Sequence, residues 1–180
     1  MRTGSLALLL LVALPALADH YRSATLAPDR STLTLHTDHG PVVAPRTDPD
    51  QQGFDEPHIA PDGQTAGWLM LEGNCCTSYP LPTELVLFRD GRILRRFTGD
   101  TVIWAWTFSP DGQAVAWRER TAHGASSIVY HLRRIDDGTE LAQFACDLKP
   151  DTPAGEAPGY VYQGKVPAWV WSIAEECPTR

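Results

Sequence analysis

Apolar and polar residues in this chain alternate with a period of two far more often than they recur with a helical period. Beyond the first residues no stretch carries an amphipathic helical stripe. Short runs rich in β-branched and aromatic residues stand between turns bearing Gly, Pro and Asp, which predicts an all-β chain. Two phrases punctuate the pattern: "IAPDGQTAGW" from Ile59 to Trp68 and "FSPDGQAVAW" from Phe108 to Trp117. In each, Pro presets φ for the second position of a turn and Asp tolerates the third. Gly then takes the left-handed position without a Cβ clash. "EPHIA" enters the first turn and "QTAGWLML" leaves it, while "WAWTFS" enters the second and "QAVAWRER" leaves it.

A further hairpin follows each phrase. After the first come "LVLF" (Leu85 to Phe88), the turn Arg89-Asp90-Gly91 and "RILRRF". After the second come "SIVYHLRR" (Ser127 to Arg134), Asp136-Asp137-Gly138 and "TELAQF". The repeating unit is therefore four strands, covering about 57–98 and about 105–145, which is the size of a propeller blade. "STLTLH" and "PVVAP" around "DHG" predict an N-terminal hairpin, and "VPAWVWSI" (Val166 to Ile173) predicts one last strand. "TLAPDRSTLTLHT" (Thr25 to Thr37) echoes the phrase with Arg30 in place of Gly, and leaves open whether it is a degenerate third copy. The expected architecture is two four-stranded antiparallel propeller-like blades packed together, with the extra N-terminal hairpin and the C-terminal strand, in one domain over residues 19–180.

The two phrases resemble the WD40-like β-propeller repeat of TolB-type periplasmic proteins, which also occurs in some peptidase propellers. The second copy fits that repeat through Phe108, Ser109, Pro110, Asp111, Gly112, Ala116 and Trp117; the first departs at Ala60 and Gly67. The resemblance covers about half the chain and implies blade-like sheets, but it implies no activity, because propellers host many functions. A closed propeller takes at least about four blades. The exposed sheet faces must then be hidden by face-to-face packing of two sheets or by assembly into a ring.

The leader bears on compartment. Arg2, the apolar run Leu6 to Leu14 and the Ala16-Leu17-Ala18 site predict a signal peptide over 1–18, cleaved after Ala18, and a periplasmic or secreted protein. No later apolar run is long enough for a membrane span. In an oxidising space Cys75, Cys76, Cys146 and Cys177 are expected as disulfides. A bond between the adjacent Cys75 and Cys76 would strain its peptide. Each is therefore expected to reach one of Cys146 and Cys177, in an order the sequence leaves open.

The formal net charge of −7, without a basic stripe, argues against nucleic-acid partners. There is no G-x-S-x-G, H-E-x-x-H, P-loop or G-x-G-x-x-G pattern. His123, Ser126 and Ser127 in "HGASS" read as loop residues, and His36 with His39 falls short of a metal ligand set. No catalytic residue, cofactor or metal is expected. The binding candidates are aromatic. Trp104 and Trp106 alternate, as do Trp169 and Trp171, so each pair should share a sheet face; Trp68 and Trp117 hold the same repeat position and belong in the core. Tyr79, Pro80 and Pro82 of "SYPLP", in the Cys-bearing segment Glu72 to Glu84, form a preorganised recognition loop. These features predict a non-catalytic binding or scaffolding protein whose partner is a protein, peptide or glycan of the cell envelope. The competing expectation is a thiol-redox or copper-handling protein that uses Cys75 and Cys76.

Overall fold

A computed structural model of the chain describes residues 20–75, 77–123, 126–149, 159–174 and 177–178; the leader and Cys76 lie outside them. The chain is all-β, but it forms three antiparallel sheets rather than two blades with appendages. The first holds β1 (Tyr21–Leu26), β2 (Leu33–Thr37) and β3 (Gly40–Val43) in that order. The second holds β4 (Gln51–Ile59), β5 (Ala66–Glu72), β6 (Leu81–Arg89) and β7 (Arg92–Thr98). The third runs β8 (Val102–Phe108), β9 (Ala114–Arg120), β10 (Ile128–Arg134), β11 (Glu140–Leu148) and β12 (Tyr160–Val161). The expected N-terminal hairpin gains β1 as a third strand, and the second unit gains β12 as a fifth. No propeller is closed. Among the described residues no helix is long and apolar enough to cross a membrane.

The turn chemistry behaves as the sequence demands. The Ala60 N–H donates to Thr65 O (2.8 Å), the Gly63 N–H donates to Ala60 O (2.8 Å), and Asp62 Oδ1 accepts the Gln64 N–H (3.0 Å). The same three bonds recur at Ser109→Ala114 (2.8 Å), Gly112→Ser109 (2.9 Å) and Gln113→Asp111 (3.0 Å). They recur again at Ala27→Thr32 (2.9 Å), Arg30→Ala27 (2.8 Å) and Ser31→Asp29 (3.0 Å). Arg30 adopts φ 59°, beside 68° at Gly63 and 69° at Gly112. The Thr25–Thr37 echo is thus the same turn made without glycine, at a left-handed cost on the order of 1 kcal/mol. The Asx bonds hold the carboxyls of Asp29 and Asp111 below the ordinary 3.8: for Asp29 the main cause is the Ser31 N–H, for Asp111 the Ser109 hydroxyl and then the Gln113 N–H.

Burial explains the layering. Trp68, Met70, Val86 and Phe88 leave the second sheet on one face and pack with Tyr21, Leu33, Leu35 and Phe54. Leu69, Leu85, Leu87 and Phe97 leave it on the other and pack with Ile103, Trp106, Phe108, Val115 and Trp117 of the third. Trp68 and Trp117 are both core residues, at 0% and 2% exposure. The second sheet is therefore the central layer. Gly67, where the second phrase has Ala116, has a packing reason: a Cβ there would lie 2.5 Å from the Trp106 ring and 2.9 Å from Leu87. The outer face of the third sheet is covered in part by the C-terminal segment, where Val166, Val170 and Ile173 pack with Ala116, Ile128, Tyr130, Phe144 and Cys146.

That segment is not the strand expected from "VPAWVWSI". Val170–Ser172 form a 3₁₀ turn, and Trp169 and Trp171 point in different directions, as i and i+2 do at about three residues per turn. Trp169 packs against the third sheet, while Trp171 is 42% exposed. The segment is pinned by a disulfide between Cys146 of β11 and Cys177. This corrects the expected connectivity: Cys146 and Cys177 pair with each other, so neither serves Cys75 or Cys76. Cys146 is fully buried at the end of β11, where the cap folds back over it.

Three measurements check this architecture. Gly67→Ala should destabilise by roughly 1–3 kcal/mol in urea unfolding, because the methyl group overpacks the Trp106 seat. The Cys146→Ser/Cys177→Ser double variant should lose about 3–4 kcal/mol, the loop-closure value for the 31-residue separation. Carboxyls whose folded pKa is lowered stabilise the fold above 3.8, and that stability drains as pH falls through their folded values. Thermal melts below about pH 4 should therefore drop less for Asp29→Asn/Asp111→Asn than for the unaltered chain, whereas the two should melt with parallel pH profiles between pH 5 and 7.

Candidate functional site

The loop from Gly73 to Pro80 joins β5 to β6 and carries Cys75. Among its described residues, Asn74 makes bonds that shape it. Asn74 Oδ1 accepts the Thr77 N–H (2.8 Å), while its Nδ2 donates to Thr77 Oγ1 (2.6 Å) and to Tyr79 O (3.3 Å). The Thr77 hydroxyl also donates to Tyr79 O. These bonds turn the Tyr79 ring outward, 47% exposed, against a cleft of about 190 Å³.

Tyr79, Pro80, Pro82 and Trp104 all line this cleft, over a floor of Leu69, Leu71 and Ile103. The structure therefore brings four of the seven aromatic and proline candidates together. Sheet irregularities place them. The β8–β9 register shifts between Ile103 and Ala105, so Trp104 sits at a bulge, its indole N–H donating to Arg120 O (3.1 Å) and its ring under the Arg120 guanidinium (5.8 Å). The β5–β6 register shifts beside Pro82, where a strand tolerates proline. The β4–β5 register shifts between Asp55 and His58, and Glu56 there adopts φ 42°. Bulges re-aim side chains and gather beside functional sites.

Trp106 lies beneath rather than in the cleft. It is buried, and its indole N–H donates to Glu56 O (2.9 Å), which braces the bulge from the core side. The bulge at Trp104 breaks the simple alternation, so the expected shared face of Trp104 and Trp106 becomes a wall residue and a support. Trp169 lines a different cleft, and Trp171 lines neither.

Sequence reading missed the charged rim. Arg30 Nη1 bonds Asp55 Oδ2 at 2.9 Å, and both line the cleft together with Glu56. Arg30 reaches it because its turn docks on β4: the Phe54 N–H donates to Arg30 O (2.9 Å), and Gly53 leaves room for that carbonyl. Arg30 and Glu56 are two of the four non-glycine residues with positive φ among the described residues. The substitution of Arg30 for the turn glycine was the available signal.

Other titratable groups are accounted for structurally. Buried His131 Nε2 lies 3.0 Å from Glu119 Oε1, stacks on Trp117, and leaves Glu119 Oε2 to accept the Asp100 N–H (3.1 Å). This ties the β7–β8 connection to the third sheet. Ser126 Oγ bonds Thr121 rather than His123. His36 Nε2 lies 3.0 Å from Thr25 Oγ1. Cys75 is exposed and lines a polar depression with Asp50, Gln52 and Glu72. Among the described residues no three His, Cys, Asp or Glu side chains converge as a metal site. No family model matches the chain, and no curated protein matches it.

Proposed function

We propose that this chain is an exported, non-catalytic binding or scaffolding module built on WD40-like propeller sheets, and that it recognises a protein, peptide or glycan of the cell envelope at the Tyr79–Trp104 cleft. The observation that carries the reading is convergence: bulges in β4, β6 and β8 aim Glu56, Pro82 and Trp104 at one small cleft, beside a loop held by Asn74. A cleft of about 190 Å³ is smaller than the ~300–1,000 Å³ of pockets that enclose a small-molecule ligand, so it suits one side chain or sugar of a larger partner. Preorganised aromatic and proline surfaces lose little entropy on binding. The Cys146–Cys177 bond supports an oxidising compartment.

One observation favours a second reading. Because Cys146 and Cys177 pair with each other, the adjacent Cys75 and Cys76 stand outside that bond, with Cys75 at the surface. Thiol or copper handling there would require both sulfurs to react with a thiol label in native protein. No labelling would remove this second reading.

The binding reading is tested by immobilising the chain, Trp104→Ala and Tyr79→Ala side by side in native envelope extract. A partner retained by the unaltered chain and lost by both variants, whose melting transitions remain cooperative, is the expected result. Identical captured sets on all three would sink the cleft.

A further inference from the structure

A second cleft, of about 320 Å³, opens on the outer face of the third sheet, between its first strands and the C-terminal cap. Its floor is the row Thr107, Ala116 and Leu132, with Phe108, Pro110 and Trp169 around it. Thr107 pairs with Ala116 across β8–β9, and Ala116 pairs with Leu132 across β9–β10. The second sheet contains the matching row. His58 pairs with Gly67 across β4–β5, and Gly67 pairs with Leu87 across β5–β6. Gly67 and Ala116 each lie six residues after the proline of their turn, so the two rows occupy the same place in the repeat.

On the second sheet this row is occupied. The Trp106 indole lies on Gly67 and beside Leu87, and His58 meets it edge-on at 4.8 Å. That contact is how the third sheet docks on the second. On the third sheet no further sheet packs on the equivalent row among the described residues. The C-terminal cap packs on Ile128, Tyr130, Phe144 and Ala116, and beside it the Thr107–Ala116–Leu132 row still floors an open apolar cleft.

We infer that this cleft is a docking site for one aromatic side chain of a protein partner, which would lie on the Ala116 methyl group, farther from the sheet than Trp106 lies on Gly67. The evidence is internal. The same chain already seats an indole on the equivalent row, and the lining here is apolar with one more aromatic, Trp169, at its wall. Ala116 in place of Gly67 raises the floor by one methyl group, and the cleft between the row and Trp169 is the opening through which a side chain can enter. This site is separate from the Tyr79–Trp104 cleft, and it stands or falls independently of it.

The probe is N-acetyl-tryptophanamide, titrated into the isotope-labelled chain and followed by amide NMR, with N-acetyl-leucinamide as comparison. The expected result is saturable shifts at Ala116, Leu132 and Trp169, with the tryptophan amide binding about fivefold more tightly than the leucine amide. Ala168→Phe, a change at an exposed rim position, should fill the cleft in cis and abolish those shifts without disturbing the remaining spectrum. Three outcomes would overturn the inference: equal binding of the two amides, shifts that persist in Ala168→Phe, or no shift at the limit of solubility. Concentration-dependent self-association that Ala168→Phe removes, with no amide binding, would also overturn it, because the cleft would then belong to a second copy of the chain. Shifts confined to Tyr79 and Trp104 would reject this site while supporting the first.

Discussion

Side chains leave the β4–β7 sheet on both faces, with Trp68, Met70 and Val86 on one side and Leu69, Leu85 and Leu87 on the other. A sheet apolar on both faces needs two covers, since each buried Leu- or Trp-sized side chain contributes about 1.5–3 kcal/mol only when water is excluded. Everything around it follows from that requirement. The N-terminal sheet covers one face, and the β8–β12 sheet covers the other. The second cover creates a new apolar face of its own, part of which the C-terminal segment then hides.

This arrangement is also why two copies of a blade-sized unit need not close into a ring. Local chemistry repeats three times, at Asp29, Asp62 and Asp111, with the same three hydrogen bonds. The tertiary use of the repeat does not. Ala66 and Trp68 face back toward the preceding layer, as do Val115 and Trp117, but the corresponding Leu33 and Leu35 face forward onto the second sheet. The first sheet is thus turned over relative to its successors. Its other face carries Thr25, Thr34 and His36, with the exposed Val43 beside Thr34.

The four-strand units could be read from sequence because Pro-Asp-Gly and Asp-Gly have few conformational uses, and alternation fixed the strands between them. The central position of the second sheet was not read there, although the unbroken apolar runs "GWLML" and "LVLF" mark burial on both faces rather than one. β1 was harder, since "YRSATL" alternates weakly and its turn lacks glycine. The C-terminal segment misled because Trp169 and Trp171 mimic alternation over too few residues to separate a strand from a single helical turn. Cysteine connectivity is a property of the fold: Cys146 meets Cys177 only because the chain doubles back over the third sheet. In the candidate site, Tyr79, Pro80, Pro82 and Trp104 were visible as residue types. Arg30, Asp55 and Glu56 were not, because register shifts and the docking of a distant turn bring them there.

The bond between Cys146 and Cys177 also has a mechanical meaning. Tension applied at the C-terminal end of the chain reaches Cys177 first, and the bond passes it directly to Cys146 in β11. The short β12 and the 3₁₀ turn lie inside the bypassed loop and bear none of it. The load enters a strand whose residues from Ile128 to Arg133 on β10 are paired along its length, so those backbone bonds share it. A protein tethered through that end would hold its third sheet under a pull that peeled an unbridged cap away.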